Sequence, residues 1–337
     1  MEALQRWVLR HQRSLTWLLA VFCLLIPSLV HNSYYIHVLI LVLLYSILAL
    51  GLNLIVGLVG LLNLGYAAFY GVGAYTCALL TVKLGFSFWL ALPLAVLVTA
   101  GAGVALGMPS LRLRGDYLAI VTLGFGEIFR LVARNWDDLT NGPKGISGIA
   151  APVLGSFRFS QESHYYYLAL LFTAFAVFFQ ARLSDSRVGR AWIAIREDEI
   201  AAESLGINTT NYKLLAFGLS SAFAGLAGAF FAGWQGFISP ESFNFLESVT
   251  ILSMVVIGGM GSIAGSILGA AFLVIVPEAL RGSAEWRSLF LGGAMVVTML
   301  FRPQGLLGSW RRAHELAPET ERIKDEEDES LFETRKK

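Results

Sequence analysis

Long uncharged tracts alternate with short charged segments along the chain. No Asp, Glu, Lys or Arg occurs in residues 14–82, and shorter uncharged tracts follow as far as residue 301. Because a helix needs about 20 mainly apolar residues to cross a bilayer, these tracts predict membrane-spanning helices. We predict ten spans, with eight to ten as the range, at residues 15–31, 36–58, 61–82, 88–108, 116–134, 164–182, 212–235, 246–260, 263–280 and 287–302.

The positive charges predict how these spans are oriented. Ten spans place both termini on one side of the membrane, and cytoplasmic loops carry an excess of Lys and Arg. With the N-terminus inside, 18 of the 25 basic residues fall on the inner side. We therefore predict a cytoplasmic N-terminal segment, a transmembrane domain, an external loop, a cytoplasmic loop and a charged cytoplasmic tail, at residues 1–14, 15–302, 135–163, 183–211 and 303–337 respectively.

The composition excludes a soluble globular protein. Hydrophobic residues make up 56% of the 337 residues and charged residues only 15%, against about 45–50% and about 25% in soluble domains. The net charge is +1, because the acidic tail offsets a mildly basic body. This balance gives no support to nucleic-acid binding. The expected fold is an all-α polytopic helical bundle in the lipid bilayer.

Residues with catalytic or metal-binding chemistry are sparse. The five histidines lie at span ends or in the tails, and the two cysteines lie far apart in apolar tracts. No phosphate loop of the form GxxxxGKS or GxxxxGKT occurs, so ATP binding through such a loop is not expected. We expect a non-catalytic chain that binds no cofactor or metal and that serves in translocation, docking or both.

Two blocks rich in glycine stand out, at residues 51–73 and 258–269. In the second block Gly261, Gly265 and Gly269 are four residues apart, a spacing that lets two helices approach closely. Tight packing alone is one interpretation of this stripe. A broken helix that lines a translocation path is the other. The likeness of the two blocks indicates a glycine-rich packed core and is compatible with an internal duplication.

Three polar residues within the predicted spans are candidates for the path, because intramembrane polar groups are costly and commonly functional. Arg130 follows Glu127 by three residues, so these two form either a local ion pair or a pair that lines or gates the path. Asn53 and Asn63 flank the first glycine block. Each of them either bonds to a neighbouring helix or contacts the substrate.

The inner loop contains a short predicted helix from Glu197 to Leu205, which Gly206 ends as a C-terminal cap. Acids occupy one side of this helix, while Ile200, Leu205 and the alanines occupy the other. Anionic lipid would repel an acidic face, so a protein partner is expected on the inner side. The residues predicted to make this contact are Glu199, Ala201, Ala202, Glu203, Leu205 and Gly206.

Four stretches resemble the permease subunits of the branched-chain (hydrophobic) amino acid ABC importers, specifically the LivM type. They are GLNLIVG at 51–57 continuing through LGYAAFYGVGAY at 64–75, LRLRGDY at 111–117 with GEI at 126–128, REDEIAAESLGI at 196–207, and GGMGSI at 258–263. The second and third stretches are the most specific. The resemblance covers nearly the whole predicted membrane body.

The resemblance implies an ATP-driven importer of branched-chain amino acids in the bacterial inner membrane. Its other parts would be a homologous second permease of the LivH type, two cytoplasmic ATPase subunits and an external substrate-binding protein. The ATP would be used by the ATPase subunits. Two alternatives are a permease of the same family for urea or amides, and an ion-coupled secondary carrier with Glu127 as its proton-relay carboxylate.

The resemblance also implies roles for single residues. The loop that inserts into the ATPase matches at Ala201, Ala202 and Gly206, with the leading acid at Glu199, one position earlier than in the general importer pattern. Tyr66 departs from the family pattern, in which histidine or glutamine is more usual. If Tyr66 faces the path, it bears on substrate preference.

Overall fold

The computed structural model describes residues 24–27, 32–110, 116–155 and 157–279, together with residues 292, 293, 296, 300, 305 and 306. Regular structure in these residues is mainly helical. The helices are α1 (Ser33–Asn53), α2 (Tyr66–Val82), α3 (Phe88–Ser110), α4 (Asp116–Asn135), α5 (Asp137–Thr140), α6 (Glu162–Ser184), α7 (Arg187–Glu197), α8 (Glu199–Ser204), α9 (Thr209–Gln235), α10 (Phe245–Gly258) and α11 (Ile263–Ala279). A π-helical segment, Leu54–Val59, continues α1, and short 3₁₀ turns cover Gly142–Lys144 and Pro240–Phe243. The strands are β1 (Ile146–Ser147), β2 (Val153–Leu154), β3 (Phe157–Arg158) and β4 (Phe237–Ile238).

The long helices agree with the predicted spans. In the described residues, four helices are long and apolar enough to cross a membrane: α1 with its π-segment, α3, α6 and α9. The apolar helices α2, α10 and α11 are shorter, and α4 covers a predicted span that carries several charges. The predicted spans 15–31 and 287–302 lie outside the described residues apart from a few positions. The count of ten therefore stays a prediction.

Helices α1 and α9 form the centre of the bundle. Helix α9 packs against α2, α3 and α1, while α1 also packs against α6, α10 and α11. From Ser46 to Asn53 every residue of α1 is buried. A helix that is apolar all round has no face for solvent and belongs in the interior. This uniform apolarity explains why α1 lies at the centre.

Glycines permit the close contact between α2 and α9. A Cβ on Gly73 would lie 2.5 Å from the Cα of Gly225, and a Cβ on Gly228 would overlap the carbonyl oxygen of Tyr70. Lipid supplies no hydrophobic drive for helices to associate, so membrane helices use small residues to bring their backbones into contact. Gly73 of the first glycine block therefore packs against Gly225 of α9, and Gly228 of α9 packs against the backbone of α2.

Apolar side chains cover the outside of the bundle. Leu97 of α3 is 67% exposed, Ile128 of α4 is 61% exposed and Phe178 of α6 is 62% exposed. Further exposed apolar residues lie on the same three helices. Contiguous apolar surface of this kind is found where a protein meets lipid or another subunit. The outward faces of α3, α4 and α6 thus fit a membrane protein.

The stripe Gly261, Gly265 and Gly269 lies at the contact between α10 and α11 of the same chain. A Cβ on Gly265 would lie 2.5 Å from the carbonyl oxygen of Gly258, and one on Gly269 would overlap that of Met254. Gly261 lies in the turn between the two helices with φ +84°, a conformation that favours glycine. In this structure the stripe therefore packs a helical hairpin.

The two ends of the bundle differ. At one end, called the sheet end, β1 pairs antiparallel with β4, with Ile146 opposite Ile238. The pairing joins the segment after α4 to the segment after α9. At the other end, called the α8 end, α7 and α8 lie between α6 and α9. A helix rises about 1.5 Å per residue, so the 27 residues of α9 separate the two ends by roughly 40 Å.

We predict that Gly265→Leu destabilises the protein, because its side chain would collide with the backbone of α10. Overpacking of this kind costs about 1–3 kcal/mol. The measurement is thermal unfolding of the purified protein in detergent. Ala264→Leu is the control, since Ala264 is exposed on the same helix. Equal unfolding temperatures for the two variants would contradict the packing described here.

Candidate translocation and docking sites

Helix α1 is broken near the α8 end of the bundle. It continues as the π-segment Leu54–Val59, which ends at Gly60 with φ +80°. Single π-turns interrupt the regular hydrogen bonds of a helix and are frequent at functional sites. The Asn53 Oδ1 atom accepts a hydrogen bond of 2.7 Å from the Gly261 backbone N–H. Asn53 thus joins the break in α1 to the turn between α10 and α11.

The two glycine blocks meet at this break. A Cβ on Gly57 would lie 2.5 Å from the backbone nitrogen of Gly261, so Gly57 has no space for a side chain toward Gly261. The Asn53 Nδ2 atom is buried and has no hydrogen-bond partner in the part of the chain that the structure describes. The break is therefore closely packed, with one buried amide nitrogen left unpaired.

An arginine from the α8 end, on α7, contacts the π-segment of α1. The Arg196 Nη1 atom, on α7, donates a hydrogen bond to the carbonyl oxygen of Gly57. Helix α7 is fixed to the bundle because Trp192 is fully buried and its Nε1 donates a 2.8 Å hydrogen bond to the Tyr212 carbonyl. The arginine therefore links α7 to the broken part of α1.

The predicted helix from Glu197 to Leu205 is shorter than expected. Asp198 interrupts it with an extended backbone, and the Asp198 Oδ1 atom accepts hydrogen bonds from the N–H groups of Ile200 and Ala201 at 2.8 and 3.0 Å. This is N-terminal capping, so α8 begins at Glu199. Gly206 has φ +83° and follows the end of α8. The predicted glycine cap is present, but the predicted start was wrong.

The acids of α8 bond within their own chain, and their predicted contact with a partner stays a prediction. Glu199 forms an ion pair with Lys213 of α9, whose side chain is almost fully buried. Glu203 accepts a 2.7 Å hydrogen bond from Thr209. Both carboxylates therefore hold α8 against the start of α9.

The exposed side of α8 is mixed, because Glu203 and Ser204 are exposed together with apolar side chains. Ala202 is buried against the bundle and Ala201 is exposed, and the predicted contact of both alanines with a partner stays a prediction. Ile200 is 66% exposed and Leu205 is 81% exposed. Ile200 lies in α8 and Leu205 directly follows its last residue, so two large apolar side chains are exposed at this end of the described bundle.

Glu127 belongs to a charge network near the sheet end. The Arg130 Nε and Nη2 atoms donate hydrogen bonds of 3.0 and 2.9 Å to Glu127 Oε2. Arg130 Nη1 also lies 3.6 Å from Glu241 Oε2, and Arg134 Nη1 lies 3.8 Å from Glu241 Oε1. The predicted local pair of Glu127 and Arg130 is present, and the network extends it to Arg134 of the same helix and to Glu241 in the 3₁₀ turn Pro240–Phe243.

Glu127 also borders a small cleft between α2, α4 and the start of α10, with space for about one water molecule. Two side chains close the wall of this cleft: Ser248 Oγ accepts a 2.9 Å hydrogen bond from the Ala67 N–H, and Thr122 Oγ1 accepts a 3.0 Å hydrogen bond from the Leu64 N–H. The cleft is lined by Leu64, Ala67, Ala68, Leu123, Gly126, Glu127, Phe243, Asn244, Phe245 and Ser248.

Two of the other path candidates are enclosed by the protein. Tyr66 is fully buried, and its hydroxyl donates a 3.0 Å hydrogen bond to the Ser220 carbonyl of α9. Asn63 is buried, and its Oδ1 accepts a 3.0 Å hydrogen bond from the Gly65 N–H two residues on. In this structure both side chains hold the connection between α1 and α2 and do not border the cleft.

Sequence reasoning missed several residues of these sites. Arg196 and Lys213 were counted only as inner positive charges, and Ser248 carried no signal because serine is common in membrane helices. Glu247 did carry a signal, because it directly precedes the uncharged tract 248–277 in the sequence. Its side chain hydrogen-bonds to Tyr45 of α1. Within the described ranges, no three His, Cys, Asp or Glu side chains are grouped as metal ligands.

Comparison with known proteins identifies the family. The family model described as branched-chain amino acid transport system / permease component matches residues 34–299. The chain belongs to this family of transport permeases. It is 51% identical over 286 residues to the high-affinity branched-chain amino acid transport system permease protein LivM of Salmonella typhimurium, covering 78% of this chain and 67% of that protein.

Two further permeases match as well. LivM of Escherichia coli is 50% identical over 290 residues, covering 79% of this chain and 68% of that protein. LivH of Escherichia coli is 26% identical over 285 residues, covering 78% of this chain and 91% of that protein. No solved structure matches. The resemblance found in the motifs is thus confirmed, and the matched region contains the break in α1, the cleft and α8.

We predict that Glu199→Ala loosens α8, because it leaves the buried ammonium group of Lys213 unpaired. Breaking a buried ion pair on one side costs about 3–5 kcal/mol, and partial exposure of Glu199 lowers that figure. Hydrogen–deuterium exchange of residues 199–205 should become faster in this variant. The double variant Glu199→Ala, Lys213→Met should recover slow exchange, and Glu197→Ala, at an exposed acid outside α8, should leave it unchanged. Slow exchange in all three variants would show that the pair does not hold α8.

Proposed function

We propose that this permease is the membrane subunit of an ATP-driven importer and carries branched-chain amino acids delivered by an external binding protein. The observation that carries the proposal is the pair of exposed apolar side chains at α8, Ile200 and Leu205, at one end of a bundle of this family. No phosphate loop occurs in the sequence, so ATP would be hydrolysed by another subunit, and a short helix with two exposed apolar side chains is suited to dock to it.

The proposed partner of α8 is a cytoplasmic ATPase subunit. Ile200 and Leu205 would enter an apolar groove, since buried apolar anchors contribute most of the energy of a small interface. Because Glu199 and Glu203 are used within the chain, the contact would depend on apolar burial more than on charge. The small side chain of Ala201 would let the ATPase subunit approach α8 closely. Gly206 follows the end of α8, which is about one and a half turns long.

The proposed orientation follows from this partner. The α8 end would face the cytoplasm together with both termini, and the sheet end would face outward to meet the binding protein. The excess of positive charge on the predicted inner side supports this orientation. Two copies of the ATPase, and a location in the bacterial inner membrane, complete the assembly.

The proposed path runs along the cleft beside Glu127, with the open side closed by a second permease of the LivH type. A free amino acid is a zwitterion, and Glu127 offers a negative group at the border of the cleft, with Arg130 bonded to it. The exposed apolar residues of α4 would then face the second permease. The proposal keeps Glu127 as the path candidate and assigns Asn53, Asn63, Tyr66, Gly261, Gly265 and Gly269 to packing around it.

We predict that Leu205→Asp and Ile200→Asp each reduce co-purification of the ATPase at least tenfold, because a charge would enter an apolar groove. Thr210→Asp is the control, since it places the same charge on an exposed position in the first turn of α9. Co-purification of the ATPase with the tagged permease is the measurement. Normal recovery of the ATPase with both α8 variants would place the contact elsewhere.

We predict that Glu127→Gln lowers amino acid uptake several-fold while assembly is kept, because it removes the negative charge at the cleft. Uptake is measured in liposomes that contain the whole importer, with ATP inside. Glu241→Gln is the matched control, since it breaks the same charge network away from the cleft. Equal loss in both variants would make the network structural, and uptake driven by an ion gradient without ATP would overturn the importer proposal itself.

A further inference from the structure

Arg196 contacts two parts of the bundle at the α8 end. Its guanidinium donates to the carbonyl oxygen of Gly57 in the π-segment. Its Cγ atom lies 2.9 Å from where a Cβ of Gly60 would be, and its Nη1 lies 3.6 Å from where a Cβ of Gly261 would be. The side chain therefore rests on the end of α1 and beside the turn between α10 and α11.

The same residue is close to α8 along the chain. Two positions after Arg196, Asp198 caps the first turn of α8. Helix α7 cannot easily absorb a movement of α8 by bending, because Trp192 is buried and bonded to Tyr212. Only Glu197 and Asp198 separate Arg196 from the first residue of α8, so a displacement of α8 acts on Arg196 over a short segment.

The structure assigns Arg196 the role of a positioning residue that transmits displacement of α8 to the broken end of α1 and to the α10–α11 turn. This inference rests on the proposed function, in which α8 docks to an ATPase subunit. One contacted segment is a π-helical turn, a departure from the α-helix that is frequent at functional sites, and the other is the turn between two helices. Arg196 contacts both segments from the α8 end, where the ATPase subunit would bind.

An arginine suits this role for two reasons. Its planar guanidinium is always charged and presents several donors in a fixed arrangement, whereas lysine offers a single compact charge. The carbonyl end of a helix also carries partial negative charge, so a cation at the end of α1 is stabilised in place. The contact between Arg196 and the Gly57 carbonyl can therefore transmit a displacement of α8 in either direction.

The test compares Arg196→Gln, Arg196→Lys and the control Arg187→Gln in the complete importer, reconstituted in liposomes with its ATPase, second permease and binding protein. Arg187 is an exposed arginine of the same helix. For Arg196→Gln we expect normal co-purification of the ATPase, at least a tenfold loss of uptake, and loss of the stimulation of ATP hydrolysis by loaded binding protein. Arg196→Lys should recover part of the stimulation, and Arg187→Gln should match the wild type.

A second variant guards against a simple loss of folding. Gly60→Asn keeps a residue that tolerates positive φ but places a Cβ against the Arg196 stem, and it should reduce stimulation in the same way. Normal stimulation and uptake in Arg196→Gln would overturn the inference. So would poor folding of Arg196→Gln combined with normal stimulation in Arg196→Lys and Gly60→Asn. If the wild-type chain binds no ATPase at all, the proposed function fails first, which the co-purification reveals separately.

Discussion

The structure depends on how interrupted backbone is satisfied within a membrane. Lipid offers no hydrogen-bond partners, so every peptide group released by a break in a helix needs a partner from the protein. Here the partners are side chains from other elements: Asn53 bonds to Gly261, Arg196 to Gly57, and Ser248 to Ala67. These few polar groups stabilise the interrupted backbone. The short helices α2 and α10 enclose the cleft together with α4.

The arrangement separates two kinds of contact. Glycines make rigid, closely packed helix pairs, such as Gly73 with Gly225 and Gly265 with Gly258. Polar side chains hold the interrupted segments, where a bond can be exchanged at a lower cost than a packed core can be opened. A transporter needs both, because some helices must keep their relative positions while others change them. The second glycine block serves both uses, since Gly261 lies at the turn and Gly265 in the helix contact.

The sequence predicted the spans and the glycine packing because both arise from local pattern. It also predicted the pair of Glu127 with Arg130, which are neighbours on one helix. It could not predict the partners of the breaks, since Asn53 and Gly261 are 208 residues apart. The start of α8 was predicted two residues early because an acid was counted as part of an acidic face, whereas Asp198 is a cap. The bonds of Glu199 and Glu203 to the start of α9 could not be predicted either, because nothing local in the sequence reveals that α9 packs against α8.

The bond from Asn53 to Gly261 has a consequence for biosynthesis. At 5–20 residues per second a ribosome needs roughly 10–40 s to make the intervening chain. During that time α1 has emerged, but the backbone that its broken end will bind has not been made. The nascent segment must therefore be kept in contact with water or with the insertion machinery until the last third of the chain arrives. The earliest helix of the described bundle is thus among the last to reach its final environment.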